Sequence, residues 1–283
     1  MSDKSAIEWT DATWNPVTGC TKVSPGCAHC YAETFAERFR GVAGHPFEQG
    51  FDIKLWPERL TLPLRRKEPR RIFVNSMSDL FHEAVSDEFI PKIFEVMTRA
   101  DQHVFQVLTK RAERMVAWTR SSFSGRGNPT RRPSGRQEKG TKLWPQHIWL
   151  GVSVENQGFT SRIRYLKETP ALTRFLSIEP LLGPVDLDGS LLEGIHWVIV
   201  GGESGPRARP ARPEWVFRIR EQCEKQQVPF FFKQWGAYNP SGKRVGKKAA
   251  GRVLDGRTWD AMPVILHSNE QRADKRSSLF AEI

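Results

Sequence analysis

A chain of 283 residues with 39% hydrophobic, 11% aromatic and 27% charged residues is long enough for one large domain or two small ones and too apolar to be disordered. It has no run of about 18 apolar residues, which excludes a membrane-spanning helix, and its start, Met1 to Trp9, lacks the basic-then-apolar pattern of a signal peptide. The expected compartment is therefore a reducing cytoplasm, and the net charge of +11 predicts a polyanionic partner, nucleic acid foremost, unless the excess sits in a surface insert.

Residues 1–19, with Trp9, Thr10, Trp14, Asn15 and Pro16, read as a short strand or extended entry segment. It leads into Cys20, Cys27 and Cys30, spaced C-x6-C-x2-C. In a reducing compartment such thiols favour metal ligation over disulfides. Three ligands are one short for structural zinc unless His29 joins. In a 4Fe–4S cluster, which normally takes four thiolates, three leave one iron open. A disulfide with a spare thiol is the bland alternative. Lys22, Ser24, Pro25 and Gly26 supply turn chemistry for the loop between Cys20 and Cys27.

A helix is expected to start at Cys30 and run through Phe39, stopped by Gly41 and Gly44. Residues 50–71, broken by Pro57, Pro63 and Pro69, read as mixed. Strands are then expected over 71–79, 103–111, 148–154, 173–178, 197–200 and 228–235. The intervening helices fall over 86–97, 112–119, 158–167 and 213–226. Residues 121–143, with Arg126, Arg131, Arg132 and Arg136, form a Gly/Ser/Arg-rich insert, read as a mobile loop or a nucleic-acid arm. Apolar strands alternating with helices predict a parallel sheet covered by helices, in a full or partial (βα) barrel of the TIM-barrel kind, with a doubly wound open sheet as the alternative. The barrel takes residues 1–236, and 237–283 is a polar C-terminal extension.

Each expected strand ends in small or polar residues: Asn75, Ser76, Ser78 and Asp79; Thr109, Lys110 and Arg111; Ser153, Glu155 and Asn156; Ser177 and Glu179; Gly201, Gly202, Glu203 and Ser204; Lys233 and Gln234. In a parallel barrel these ends share the face where active sites form, and the cysteine loop opens on that face. Ordinary turn and capping chemistry accounts for any single end, less readily for six. The glycines of 201–205 either admit a ligand to the backbone or make a tight turn. Lys110, Arg111, Arg207, Arg209 and Arg212 are candidate phosphate holders or a solvated basic surface. Cys223 reads as a packing residue.

Three cysteines in an N-terminal loop, Tyr31 beside the last and a following βα series resemble the radical S-adenosylmethionine (SAM) superfamily, although the common C-x3-C-x2-C spacing is lengthened here. The string Trp14–Cys20, Cys27–Tyr31, Asn75–Asp79, Leu108–Arg111, Gly151–Asn156, Ser177–Pro180 and Val200–Gly205 more closely resembles the phage Gp37/Gp68 family of three-cysteine proteins over residues 5–240. The resemblance implies a barrel of the radical SAM type, with Cys20, Cys27 and Cys30 holding three irons of a 4Fe–4S cluster and SAM chelating the fourth. It implies Asn75, Ser76, Ser78 and Asp79 near the SAM amino group. Ser153, Glu155 and Asn156 would lie near ribose or carboxylate. Glu203, with Gly201 and Gly202, would lie near adenine or substrate, with Glu179 on the same rim. The implied function is hydrogen abstraction from a nucleic acid or nucleotide in modification or repair, fed by an external electron donor. The competing function is a non-catalytic nucleic-acid-binding protein stabilised by zinc or a cluster; a third is an enzyme acting on a small molecule or peptide.

Overall fold

The computed structural model describes residues 5–123 and 143–264. The expected basic arm, with Arg126, Arg131, Arg132 and Arg136, lies outside them. Among the described residues seven strands form one sheet: β1 (Ala12–Trp14), β2 (Arg71–Val74), β3 (Val104–Thr109), β4 (Ile148–Ser153), β5 (Arg174–Ile178), β6 (Trp197–Gly201) and β7 (Phe230–Gln234). Each strand pairs in parallel with the next in the chain, from Ala12 opposite Ile72 to Val198 opposite Phe230. β1 and β7 remain at opposite edges of the order. The sheet is thus a curled, partial (βα) barrel, neither closed nor doubly wound.

The strands read as near-continuous apolar runs because both faces are covered, as parallel sheets require; all six residues of β4 are buried. On the outer face Ile72, Val74, Phe105, Val107, Leu176, Val198, Val200 and Phe232 meet the helices in one large core. That core takes Ile90, Ile93, Phe94 and Met97 from α2 (Phe89–Arg99), Met115 and Trp118 from α3 (Ala112–Ser122), Ile163 and Leu166 from α4 (Ser161–Lys167) and Val216, Ile219 and Cys223 from α6 (Pro213–Lys225). Their three- and four-residue spacing is the apolar stripe of a helix packed on a sheet. A short α5 (Gly189–Leu192) precedes β6. Ser121 and Ser122, expected in the insert, complete α3 instead. The expected helix after Cys30 is α1 (Tyr31–Ala36), continued by a 3-10 turn at Glu37–Phe39. The mixed region folds as 3-10 turns and a two-stranded ribbon pairing Val17 with Leu55 and Thr18 with Lys54.

The inner face carries a separate aromatic cluster of Trp9, Phe73, Trp149, Phe175, Trp197 and Phe231, with Val104 and Ile199. Trp9 lies 4.7 Å from Phe73 and 6.1 Å from Trp197, centroid to centroid. Phe175 fits because its neighbour across the ladder is Gly151, where a Cβ would stand 2.5 Å from the Phe175 ring. Each fully buried aromatic of this kind contributes about 1.5–3 kcal/mol by leaving water.

The chain beyond β7 finishes this half-barrel. Asp260 bridges Phe231 antiparallel, Phe232 N–H donates to Trp259 O at 2.9 Å, and Trp197 Nε1 donates to Ala261 O at 2.8 Å. Met262 packs on the inner aromatics and meets Arg71 at the start of β2. The segment therefore covers part of the β7 edge, which would otherwise expose unpaired backbone groups, and passes beneath the floor toward the opposite side.

β1 and β2 are held at that end by Asp11, whose carboxylate accepts from Arg71 N at 2.8 Å, Nε at 3.1 Å and Nη2 at 2.7 Å. The Arg71 guanidinium keeps the Asp11 carboxyl below the usual carboxylate range, against the opposing effect of partial burial. A carboxyl depressed in the folded state contributes stability that is complete above its unfolded value, about 3.9, and is lost as pH falls through the folded value. Urea unfolding measured from about pH 5 down to about pH 2 should show a steeper loss of midpoint in wild type than in Asp11→Asn. Parallel curves would contradict this role.

Candidate functional site

Alternation along the strands sorts the inner face into two levels. Trp149, Phe175, Trp197 and Phe231 occupy the lower, N-terminal level. Ser153, Ser177, Glu179, Glu203, Lys233 and Gln234 follow on the same strands or just beyond them and line a cavity of about 480 Å³ at the C-terminal ends. Cys20, Cys27, Cys30, Tyr31, Asn75, Ser76, Ser78, Asp79, Thr109, Lys110, Arg111 and Gly202 line the same cavity, with Trp9 and Phe73 among its apolar walls. The polar strand ends and the three thiols thus share one mouth.

The cysteine loop reaches this mouth through Gly19. Its φ of +88° suits glycine, and a Cβ there would stand 2.2 Å from Asp52 O. Gly19 N–H donates to Met77 O at 3.0 Å and Cys20 N–H to Phe51 O at 3.1 Å. Beyond Cys20 three buried carboxylates with arginine partners tether the loop. Asp79, after β2, takes Arg111 Nη1 at 3.3 Å, and Arg111 Nη2 donates to Thr21 O at 3.2 Å and Thr21 Oγ1 at 2.9 Å. Glu155, after β4, takes Arg162 Nη1 from α4 at 2.8 Å on one oxygen and Ser24 Oγ at 2.6 Å on the other. Glu203, after β6, takes Arg209 Nε at 2.8 Å and Nη2 at 2.6 Å, while Arg209 Nη2 also donates to Pro25 O at 2.9 Å. The six-residue gap between Cys20 and Cys27 is the span over which the loop meets the ends of β2, β4 and β6 in turn.

The thiols are unpaired and half-buried. Burial pushes the Cys20 thiol up to about 11, with Asp79 adding to the rise and Arg111 opposing it. Burial likewise raises Cys30. Arg111 Nη1 donates to Cys20 Sγ at 3.4 Å, and Ser24 Oγ lies 3.7 Å from Cys27 Sγ. Ligation of these sulfurs must displace their protons. Among the described residues no group of three or more His, Cys, Asp or Glu side chains is already gathered around one point. All three thiols line the same cavity. His29 points instead to the rim, its Nδ1 3.4 Å from Glu203 Oε1.

Several buried polar atoms lining the cavity lack a protein partner: Asn75 Nδ2, Glu179 Oε1, Gln234 Oε1 and Glu8 Oε2. Buried polar groups are nearly always bonded, so convergent orphans mark a place for a polar ligand or water. Glu179 keeps its other oxygen on Lys233 Nζ at 2.7 Å.

Of the residues expected to contact a cofactor, Asn75, Ser76, Ser78, Asp79, Ser153, Glu179, Gly202 and Glu203 line the mouth. Glu155 is fully buried behind the cysteine loop, and Asn156 Oδ1 accepts from Gly158 N–H to cap a 3-10 turn. The two glycines serve the chain itself. A Cβ on Gly201 would lie 2.9 Å from Glu179 Oε2, and one on Gly202 would lie 2.0 Å from Trp235 O, where two backbone segments cross. The arginines expected to hold phosphates divide likewise. Arg111 is a buried clamp and Arg209 a half-buried one, while Arg212 is exposed with its guanidinium over Trp215. Cys223 is fully buried in α6, its thiol pushed up to about 12 by burial. Sequence reasoning missed Arg162, Trp9, Ser24 and Glu8. Arg162 carries no local signal, because its partner lies across a turn and on another element.

Residues 4–263 match the family model described as Protein of unknown function (DUF5131). No curated protein matches the chain. Among solved structures, a spore photoproduct lyase complexed with dinucleoside spore photoproduct aligns at 10% identity and a TM-score of 0.36 over 75% of this chain. The aligned part spans 60% of that lyase.

The Glu155–Arg162 pair is buried on both sides, with Lys110 Nζ 3.7 Å from the other Glu155 oxygen, so removing Arg162 leaves the carboxylate short of a partner at a cost of about 1–3 kcal/mol. Arg162→Met should lower unfolding stability by that order and make the bond after Lys22 more accessible to trypsin. A variant with wild-type stability and protease resistance would remove Glu155 from the role of loop anchor.

Proposed function

The chain belongs to the family described as Protein of unknown function (DUF5131), and we propose that this member is a radical SAM enzyme acting on nucleic acid or a nucleotide. The observation that carries the reading is three cysteine thiols lining one cavity at the C-terminal mouth of a parallel half-barrel, where βα folds place their chemistry. Three thiolates on a 4Fe–4S cluster leave one iron for SAM. When bound, this pair supplies one-electron reductive cleavage of SAM and hydrogen abstraction by the 5′-deoxyadenosyl radical, with an external donor providing the electron. The likeness of the motif string to the phage Gp37/Gp68 family is part of the same reading.

The chain's own residues then have separable tasks. Cys20, Cys27 and Cys30 hold three irons, and the clamps on Thr21, Ser24 and Pro25 keep the loop between Cys20 and Cys27 in place over the mouth. Asn75 and Glu179 offer unpartnered polar atoms to the cofactor's amino acid and ribose groups. Ser76, Ser78, Ser153 and Glu203 line the remaining walls. Trp9 and Phe73 form the apolar floor that keeps water from below. The net charge of +11 supports a polyanionic substrate.

Anaerobic reconstitution should give about four irons per chain and, under reduction with SAM, 5′-deoxyadenosine; Cys27→Ala should lose both. Stoichiometric zinc with no SAM cleavage would overturn the reading. Oligonucleotide binding should weaken by orders of magnitude between about 50 and 200 mM salt. An absence of binding at low salt would move the substrate to a small molecule or peptide.

A further inference from the structure

Arg111 does more than tie the loop to Asp79. Its guanidinium is buried, with a side chain 5% exposed, and every arm is committed. Nε faces the Glu83 carboxylate at 3.2 Å, Nη2 bonds Thr21, and Nη1 is shared between Asp79 Oδ2 and Cys20 Sγ. Its backbone is also held, since Arg111 N–H donates to Thr109 Oγ1 at 2.8 Å. A planar fork fixed at so many points cannot turn away from the sulfur.

The three thiols are therefore not equivalent. Cys20 has a buried cation within hydrogen-bond reach, whereas Cys27 has the Ser24 hydroxyl at 3.7 Å. Of the two acids that offset the Arg111 charge, Asp79 is buried, but Glu83 is 69% exposed and screened by solvent. Asp79 opposes the cation from within and Glu83 from the solvent side, but of these groups only the Arg111 guanidinium donates to the sulfur, so losing it removes a charge and a hydrogen bond and leaves the buried Asp79 carboxylate beside Cys20. Hydrogen bonds to ligand sulfurs and local charge are the levers by which a protein sets a cluster's reduction potential. Reduction adds one negative charge, which a donor aimed at the sulfur stabilises.

Resting on the reading that the three cysteines hold a 4Fe–4S cluster, we propose that Arg111 is a positioning residue that fixes the Cys20 sulfur and raises the reduction potential of the centre. The balance is that of a single electron arriving from an external one-electron donor, with no bond made or broken in the protein.

The test is a mediated redox titration of the anaerobically reconstituted full chain as wild type, Arg111→Lys, Arg111→Met and Glu83→Gln, with iron measured in each. At equal iron content, Arg111→Met should shift the reduction equilibrium about tenfold toward the oxidised form, or 59 mV for one electron. Arg111→Lys should fall between, keeping charge but losing the fork. Glu83→Gln removes only a solvent-screened charge and should move the equilibrium less, in the opposite direction; Arg111→Lys, which keeps the buried charge, decides the matter by its own shift if Arg111→Met does not fold. Unchanged potentials at equal iron would make Arg111 a loop staple only. A wild type that takes up no cluster would overturn the underlying reading, and this inference with it.

Discussion

The site depends on three carboxylates buried at the ends of parallel strands and on the arginines that satisfy them. A loop of eleven residues with a cysteine at either end has no core of its own to hold it over a barrel mouth. Asp79, Glu155 and Glu203 supply the hold, each sharing a guanidinium or an oxygen directly with the loop. Taking such ions from water costs several kcal/mol apiece unless geometry and hydrogen bonds compensate. Arginine suits the task because its planar fork bonds a carboxylate and a carbonyl or hydroxyl together. The loop is thereby held at Thr21, Ser24 and Pro25, between the first two cysteines.

The half-barrel makes this arrangement available by layering its inner face. Side chains two residues apart on a strand stack along the barrel axis, so Phe175, Ser177 and Glu179 form one ascending column and Trp197, Ile199 and Gly201 another. Aromatic residues close the floor and polar ones ring the mouth. Glycine at 151 admits Phe175 below, and glycine at 201 leaves room for the Glu179 carboxylate above. The open side that seven strands leave is where Ala6 to Trp9 enter the cavity wall. Beneath it, Met262 reaches Arg71 from the end of the described chain.

This geometry gives the long first cysteine gap a physical reason. The loop passes Arg111 beyond β3, Glu155 beyond β4 and Arg209 beyond β6, and a shorter turn would not meet all of them. The carboxylates that looked like cofactor contacts from their strand-end positions are in part the loop's own anchors. The positions left for a ligand are those with unpartnered atoms, Asn75 and Glu179 among them.

The amino-acid sequence by itself determined the strand-and-helix alternation, the parallel sheet and the gathering of polar ends with three cysteines, because hydrophobic period and turn chemistry are local properties. Apolar runs such as Ile148–Ser153 are legible without a partner, and so is the stripe of Ile90, Ile93, Phe94 and Met97. Whether the barrel closes is not local; it depends on whether β1 meets β7, and here the chain after β7 lies along that edge instead. Arg111 and Arg209 were visible only as candidate phosphate holders or basic surface, Arg162 not at all, and Gly201 and Gly202 as either an approach for a ligand or a tight turn. Only the tertiary structure decided that the arginines face inward and that the glycines accommodate Glu179 and the Trp235 backbone. Ion pairing and close approach join residues far apart in the chain, and no local pattern encodes such a partner.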